Sequence, residues 1–217
     1  MKIIGIDDAG RGPVLGPMIL SGVLAEKKDN DILKKWGAKD SKLLPPKKRK
    51  MLSKKIKRKY KYHFEITHPN EIDNSANLNY TEAIKAAKII NKLMGNIDEP
   101  VEIILDCPSV NLIAWNEDVF KLLKKTELIT MKCEHKADFN HPIVSAASIV
   151  AKEMRETEVK KLKKEYGIDF GSGYPSDPKT QKFVKENYKN PKYKNLIRFS
   201  WDTVKKLEKE KEQKKLY

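Results

Sequence analysis

The chain has 217 residues, enough for one domain with a real core and a small appended part. Lys and Arg outnumber Asp and Glu by 45 to 30, and the resulting net charge of +15 favours polyanions over acidic partners. No apolar run approaches the roughly 18 residues of a membrane span, and Cys107 and Cys133 lack the CxxC spacing of a zinc site. Charge alone leaves nucleic acid, an anionic membrane surface and a merely solvated Lys- and Glu-rich exterior all open. The sequence starts on a strand-like run with no signal peptide, so a cytoplasmic protein with two buried, reduced thiols is expected.

Lys2 to Ile6 is a short apolar run that ends in acids and then in Gly10, Gly12 and Pro13, which predicts a buried strand stopped by a turn. Met18 to Leu24 predicts a second strand. The basic stretch from Lys47 to Lys55 carries Met51, Leu52 and Ile56 at the spacing of one helix face. Tyr60, Tyr62, Phe64 and Ile66 alternate with polar residues, the period of a half-buried strand. Asn79 to Glu82 reads as a helix start and Gly95 as its stop. Val101 to Leu105 predicts a buried strand running into Asp106, followed by a helical segment near Val119 to Leu123. Leu128 to Met131 predicts another strand. A long helix from Pro142 to Tyr166, closed by Gly167, opens on small residues suited to close packing on a sheet. Asp177-Pro178 predicts an N-cap and first turn, and Ser200 a cap for a last helix with Trp201, Val204 and Leu207 on one face. The pattern implies a mixed sheet flanked by helices.

Four acids follow apolar strands: Asp7, Asp8, Asp106 and, a few residues beyond its strand, Asp138. Carboxylates in such places are costly to bury unless a cation or donors meet them, and oxygen ligands suit Mg²⁺ or Mn²⁺. Two such ions can share phosphodiester hydrolysis. Any one of these acids, taken alone, is more often a turn or cap residue. Adjacent Asp7 and Asp8 face one site only if the strand ends there, since a regular strand sends them to opposite sides.

The segment Asp7-Asp8-Ala9-Gly10-Arg11-Gly12-Pro13-Val14-Leu15-Gly16-Pro17 resembles the signature of ribonuclease HII, chiefly of its archaeal branch. Lys39-Asp40-Ser41-Lys42, Glu134-His135-Lys136-Ala137-Asp138, Ser145 to Lys152 and Gly171 to Pro178 match further stretches of that family in order. The resemblance implies an α/β, ribonuclease H-like fold: a five-stranded mixed sheet flanked by helices, with a C-terminal helical part. It implies a catalytic domain over residues 1–170 and that helical part over 171–217. It also implies an endoribonuclease that cuts RNA in RNA–DNA hybrids and at ribonucleotides embedded in duplex DNA, by two-metal catalysis with Mg²⁺ or Mn²⁺. Cleavage would fall on the 5′ side of the ribonucleotide and leave 3′-hydroxyl and 5′-phosphate ends. Asp7, Asp8, Asp106 and Asp138 would be catalytic metal ligands. Gly10, Arg11 and Gly12 would recognise the ribose 2′-hydroxyl, Lys42 would hold a phosphate, and Tyr174 would pack on the sugar beside the cut. His135 reads as a proton donor or, equally, as a structural histidine.

One position departs from the family, which has Glu where this chain has Asp8. The shorter side chain keeps the charge and puts the geometry of the metal site in question. Two rivals remain at this point. A DNA-acting nuclease of the same fold, such as a junction resolvase, lacks the Gly-Arg-Gly and Gly-Tyr-Pro motifs; a non-catalytic nucleic-acid binding module has lost one or more acids. The tail Gln213-Lys214-Lys215-Leu216-Tyr217 faintly resembles the start of a sliding-clamp peptide, with a frayed charged terminus as the plainer account. Without a heptad seam or an apolar surface stripe, a monomer with no membrane contact is expected.

Overall fold

The structure is a computed structural model, and it describes residues 1–38 and 44–213. Lys42 and the last four residues of the tail lie outside the described residues. Among those described, one mixed sheet contains β1 (Lys2–Ala9), β2 (Met18–Glu26), β3 (Lys61–Thr67), β4 (Val101–Asp106) and β5 (Ile129–Glu134), in the order β3-β2-β1-β4-β5. β1 runs antiparallel to β2 and parallel to β4, and β4 runs parallel to β5. The helices are α1 (Asn30–Lys35), α2 (Pro46–Lys59), α3 (Pro69–Asp73), α4 (Leu78–Met94), α5 (Leu112–Phe120), α6 (Ala137–Asn140), α7 (Pro142–Tyr166), α8 (Pro178–Asn187) and α9 (Asp202–Gln213). The five-stranded mixed sheet with helices is the expected fold class.

The chain divides into two compact units. The first comprises Met1–Ala9, Ile19–Glu65 and Asn77–Met154, and it holds nearly all of the sheet. Its strands are apolar on both faces. Ile4, Ile6, Ile103 and Leu105 pack with α4 and α5, while Ile3, Val23 and Ile104 pack with α2 and the start of α7. Successive residues of β1 and β4 therefore serve opposite helix layers, which explains unbroken apolar runs in place of alternation. Gly5 lets α7 approach β1: a Cβ at this position would stand 2.5 Å from the backbone carbon and oxygen of Ile143.

The second unit comprises Gly10–Met18, Ile66–Ala76 and Arg155–Tyr217. Its own core joins Val14 and Leu15 to Phe170, Phe183, Leu196 and Val204. Asp73 accepts hydrogen bonds from the amides of Phe199 (2.8 Å) and Ser200 (2.9 Å) and from the Ser200 hydroxyl (2.6 Å). Ser200 is thus spent on Asp73, and α9 begins two residues later than its expected cap. Val204 is buried on the expected face, with Trp201 and Leu207 packed against the same core. Asp177 does cap α8, its side chain accepting from the Lys179 amide.

Several local expectations shift for physical reasons. α4 is capped by Asn77, whose side chain accepts from the amides of Asn79 and Tyr80, so Asn79 lies inside the helix. Met51 is 72% exposed while Leu52 and Ile56 are buried, because one residue is about 100° around a helix. Asn111 caps α5, so the segment at Val119 to Leu123 is the tail of a longer helix and its exit. β3 is an edge strand, and its alternation is blurred: Tyr60 belongs to the end of α2, and Tyr62 is exposed. β5 begins at Ile129, because Thr126–Leu128 forms a 3-10 turn. Cys107 is buried as expected, but Cys133 is only half-buried; both thiols are free. Among the described residues no helix is long and apolar enough to cross a membrane.

Candidate active site

In the first unit the acids meet at the C-terminal ends of neighbouring strands. Ile6 pairs with Leu105, so Asp7 and Asp106 follow at one level on parallel strands. Asp106 in turn pairs with Glu134. β1 does not end at Asp8; it stays paired with β2 through Ala9 opposite Ile19. Asp7 is buried at 4% exposure, on the side of α7, where the Ser148 hydroxyl hydrogen-bonds to it. Asp8 is half-buried, and its amide donates to the Asp7 carboxylate at 2.7 Å. Asp138 is buried in α6. Asp106 draws α6 toward the strand ends, its carboxylate accepting from the Ala137 amide at 2.9 Å.

Electrostatics tie the four acids together. Burial holds the Asp7 carboxyl well above the usual carboxylate range, and the charges of Asp8, Asp106 and Asp138 push it the same way. The Ser148 hydrogen bond opposes them. Such a set of oxygen donors is unfavourable by itself and is relieved by a hard cation. Among the described residues, no group of three or more His, Cys, Asp or Glu side chains is arranged to hold a metal ion as it stands. The donor chemistry and the shared charge nonetheless fit a divalent ion.

Around this cluster, His141 lies 3.0 Å from Glu134, and Lys132 pairs with the same carboxylate, which holds Glu134 below its ordinary pKa. His135 faces the Cys107 carbonyl at 3.3 Å. Burial pushes the Cys133 thiol up to about 12, so it is a poor nucleophile at neutral pH. Ser148 lies in the Ser145 to Lys152 stretch that resembles the family, but the sequence assigned it no role of its own. Its one legible signal was a hydroxyl in an otherwise apolar helix opening.

The second unit carries the Gly10–Gly12 loop and Tyr174. Gly10 has φ of 90°, a conformation that glycine adopts without cost. Gly12 is exposed, and a Cβ there would meet the Tyr174 ring at 3.8 Å. Tyr174 is 41% exposed, with the Arg155 guanidinium 5.2 Å from its ring centre. Loop and ring are thus neighbours, as a shared role requires. Sequence reasoning missed Arg155 and Arg198, which are both buried here.

A family model described as Ribonuclease HII matches residues 4–204. Ribonuclease HII of Pyrococcus furiosus is 43% identical over 212 residues, covering 96% of this chain and 92% of that protein. The crystal structure of ribonuclease H2 from Pyrococcus horikoshii superposes with a TM-score of 0.84 at 38% identity, over 97% of this chain and 98% of the other. The ribonuclease HII of Archaeoglobus fulgidus, solved in complex with PCNA, gives a TM-score of 0.81 at 34% identity, over 93% of this chain and 96% of that one. Matched at this identity over nearly its whole length, the chain belongs to the ribonuclease HII family and is an endoribonuclease.

Proposed function

We propose that this enzyme hydrolyses RNA in RNA–DNA hybrids and at ribonucleotides embedded in duplex DNA. Water adds to the phosphorus on the 5′ side of the ribonucleotide. The bond from phosphorus to the preceding 3′ oxygen breaks, and that oxygen leaves with a proton as a 3′-hydroxyl opposite a 5′-phosphate. Asp7, Asp8, Asp106 and Asp138 would hold two divalent ions, Mg²⁺ or Mn²⁺. When bound, these ions supply an activated water and neutralise charge on the leaving oxygen. The observation that carries the reading is the meeting of three carboxylate charges, from Asp8, Asp106 and Asp138, on the buried Asp7 at the strand ends.

The chain's own groups do the rest. Asp106 fixes the start of α6, and with it Asp138, through the Ala137 amide. Ser148 orients Asp7. The Gly10–Gly12 backbone reads the 2′-hydroxyl, the one mark that separates RNA from DNA at a single nucleotide. Tyr174 presents its exposed ring to the sugar beside the cut. Exposed Lys47, Lys48, Lys50, Lys54 and Lys55 on α2 offer a basic track to the phosphate backbone. The role of Lys42 as a phosphate contact belongs to the same proposal.

A gel assay on duplex DNA carrying one ribonucleotide tests the reading. Wild-type enzyme with Mg²⁺ or Mn²⁺ gives one nick 5′ to the ribonucleotide. Asp7→Asn and Asp106→Asn give none, yet bind the duplex. Cutting of all-DNA duplex at the same rate would favour a resolvase-like nuclease instead. The PCNA complex of the Archaeoglobus relative supports a sliding clamp as a partner of this chain too. Removal of residues 214–217 should then weaken clamp binding in calorimetry.

A further inference from the structure

The Gly10–Gly12 loop is held by side chains from the far end of the chain, within the second unit. Arg198 is fully buried. Its guanidinium donates to the carbonyls of Gly10 at 2.8 Å, Arg11 at 3.0 Å and Gly16 at 2.9 Å. Trp201 donates its indole N–H to the Gly12 carbonyl at 3.1 Å and stacks 4.8 Å from the Arg198 guanidinium. All three loop carbonyls are therefore occupied by one short segment. Asp73 fixes that segment by accepting from the Phe199 and Ser200 amides.

The consequence lies in the peptide units. All peptides here are trans, so each carbonyl points opposite to the N–H of the next residue. Turning the Gly10 and Arg11 carbonyls toward Arg198 sends the N–H groups of Arg11 and Gly12 the other way. Two backbone donors are thereby aimed from one face of the loop, the arrangement that an incoming hydroxyl oxygen needs.

A second buried arginine joins this loop to Tyr174. The Arg155 Nη2 lies 3.5 Å from the Leu15 carbonyl and 3.4 Å from the Ser172 carbonyl, and the guanidinium sits against the Tyr174 ring. A Cβ on Gly10 would stand 2.3 Å from the Arg155 Cδ and Nε, so this side chain fills the space that glycine leaves. Any movement of Arg155 reaches the turn and the ring together.

We propose that Arg198 and Trp201 are positioning residues for ribonucleotide recognition, turning the loop carbonyls inward so that its N–H groups face the 2′-hydroxyl, and that Arg155 couples the loop to Tyr174. The proposal rests on the reading of this loop as the 2′-hydroxyl sensor. It is tested by steady-state cleavage of duplex DNA carrying one ribonucleotide, with the same all-DNA duplex as competitor. In Arg198→Met, KM for the ribonucleotide duplex should rise about tenfold, the effect of losing charge-assisted hydrogen bonds, while the competitor's inhibition constant stays within about twofold. Arg198→Lys should recover part of the loss. Trp201→Phe keeps an aromatic ring beside Arg198 and removes one donor, so it remains informative if Arg198→Met fails to fold; its KM should rise about threefold. A merely structural role lowers the active fraction, and so kcat, with the ratio of the two constants unchanged. An unchanged ratio in folded variants overturns the proposal. A wild type that cuts nothing overturns the functional reading as well, whereas a wild type that cuts normally isolates the failure to these residues.

Discussion

Asp7→Asn should stabilise the metal-free protein while abolishing cleavage. The Asp7 carboxyl is 4% exposed, and burial raises its pKa first, followed by the charges of Asp8 and Asp106. A like charge about 5 Å away costs roughly 3 kcal/mol at an effective dielectric constant of about 20. Asparagine keeps the shape and can still accept from Ser148, but a neutral acceptor gives up about 1 kcal/mol of that bond. The net gain is at least about 2 kcal/mol in chelator at pH 8, since relief of the buried charge adds to it. The pH dependence has a definite sign. An aspartate whose pKa is raised in the folded state contributes stability that is fully present below its unfolded pKa, about 3.9, and is lost as pH rises through the folded value. Chelated wild type should therefore weaken from mildly acidic pH upward, and Asp7→Asn should lack that part of the loss. Urea unfolding followed by circular dichroism, at pH 5 and pH 8 in EDTA, measures both effects. Repeating it with Mg²⁺ should raise the wild-type midpoint much more than that of the variant. An Asp7→Asn protein less stable than wild type in EDTA at pH 8, or equal stabilisation of both by Mg²⁺, would refute the reasoning.

Gly5→Ala places a methyl 2.5 Å from the Ile143 backbone and should cost about 3 kcal/mol in urea unfolding, since α7 must withdraw from β1; a loss under about 0.5 kcal/mol would mean that the helix gives way freely. Asp8→Glu restores the methylene that the family carries and should raise kcat with Mg²⁺ about three- to tenfold, with a smaller gain in Mn²⁺. Equal rates with both metals would remove residue 8 from the working ligands. Tyr174→Ala should leave the melting temperature nearly unchanged, because the ring is 41% exposed, yet lower kcat/KM at a lone ribonucleotide about tenfold; unchanged kinetics would make Tyr174 a packing residue only.

Much of the first unit was legible because its signals are local. β1 and β4 are buried on both faces, so their apolar runs are continuous and end where charged side chains begin, at Asp7 and Asp106. The long helix declared both ends, with Pro142 in its first turn and Gly167 at φ of 68° after its last. Errors fell where two local preferences competed. Ser200 is a good cap by type, but Asp73 takes its amide and hydroxyl. Met51 sits in an apolar triplet by spacing, yet only Leu52 and Ile56 reach the core. In the edge strand β3 one side has no partner strand among the described residues, and burial no longer follows a period of two.

The same distinction separates the acids from the arginines. A carboxylate at the end of an apolar strand is conspicuous in sequence, because its burial is costly and its neighbours show that it is buried. Arg198 gives no such sign. The loop groups that it holds are backbone carbonyls, which every residue possesses, and those of Gly10 and Arg11 lie 188 and 187 residues away. Nothing in side-chain chemistry could announce that pairing; only the fold of the second unit brings it about. Arg155 is equally silent, since the space it fills beside Gly10 shows in the sequence merely as a glycine. A motif reading therefore finds the groups that would meet substrate, Gly10 to Gly12 and Tyr174, and overlooks what holds them. If backbone N–H groups are to sense one hydroxyl, a loop of two glycines must first be deprived of its freedom, because glycine loses more conformational entropy on ordering than any other residue. Arg198 and Trp201 supply that restraint through the carbonyls, the one part of the loop that sensing leaves unused.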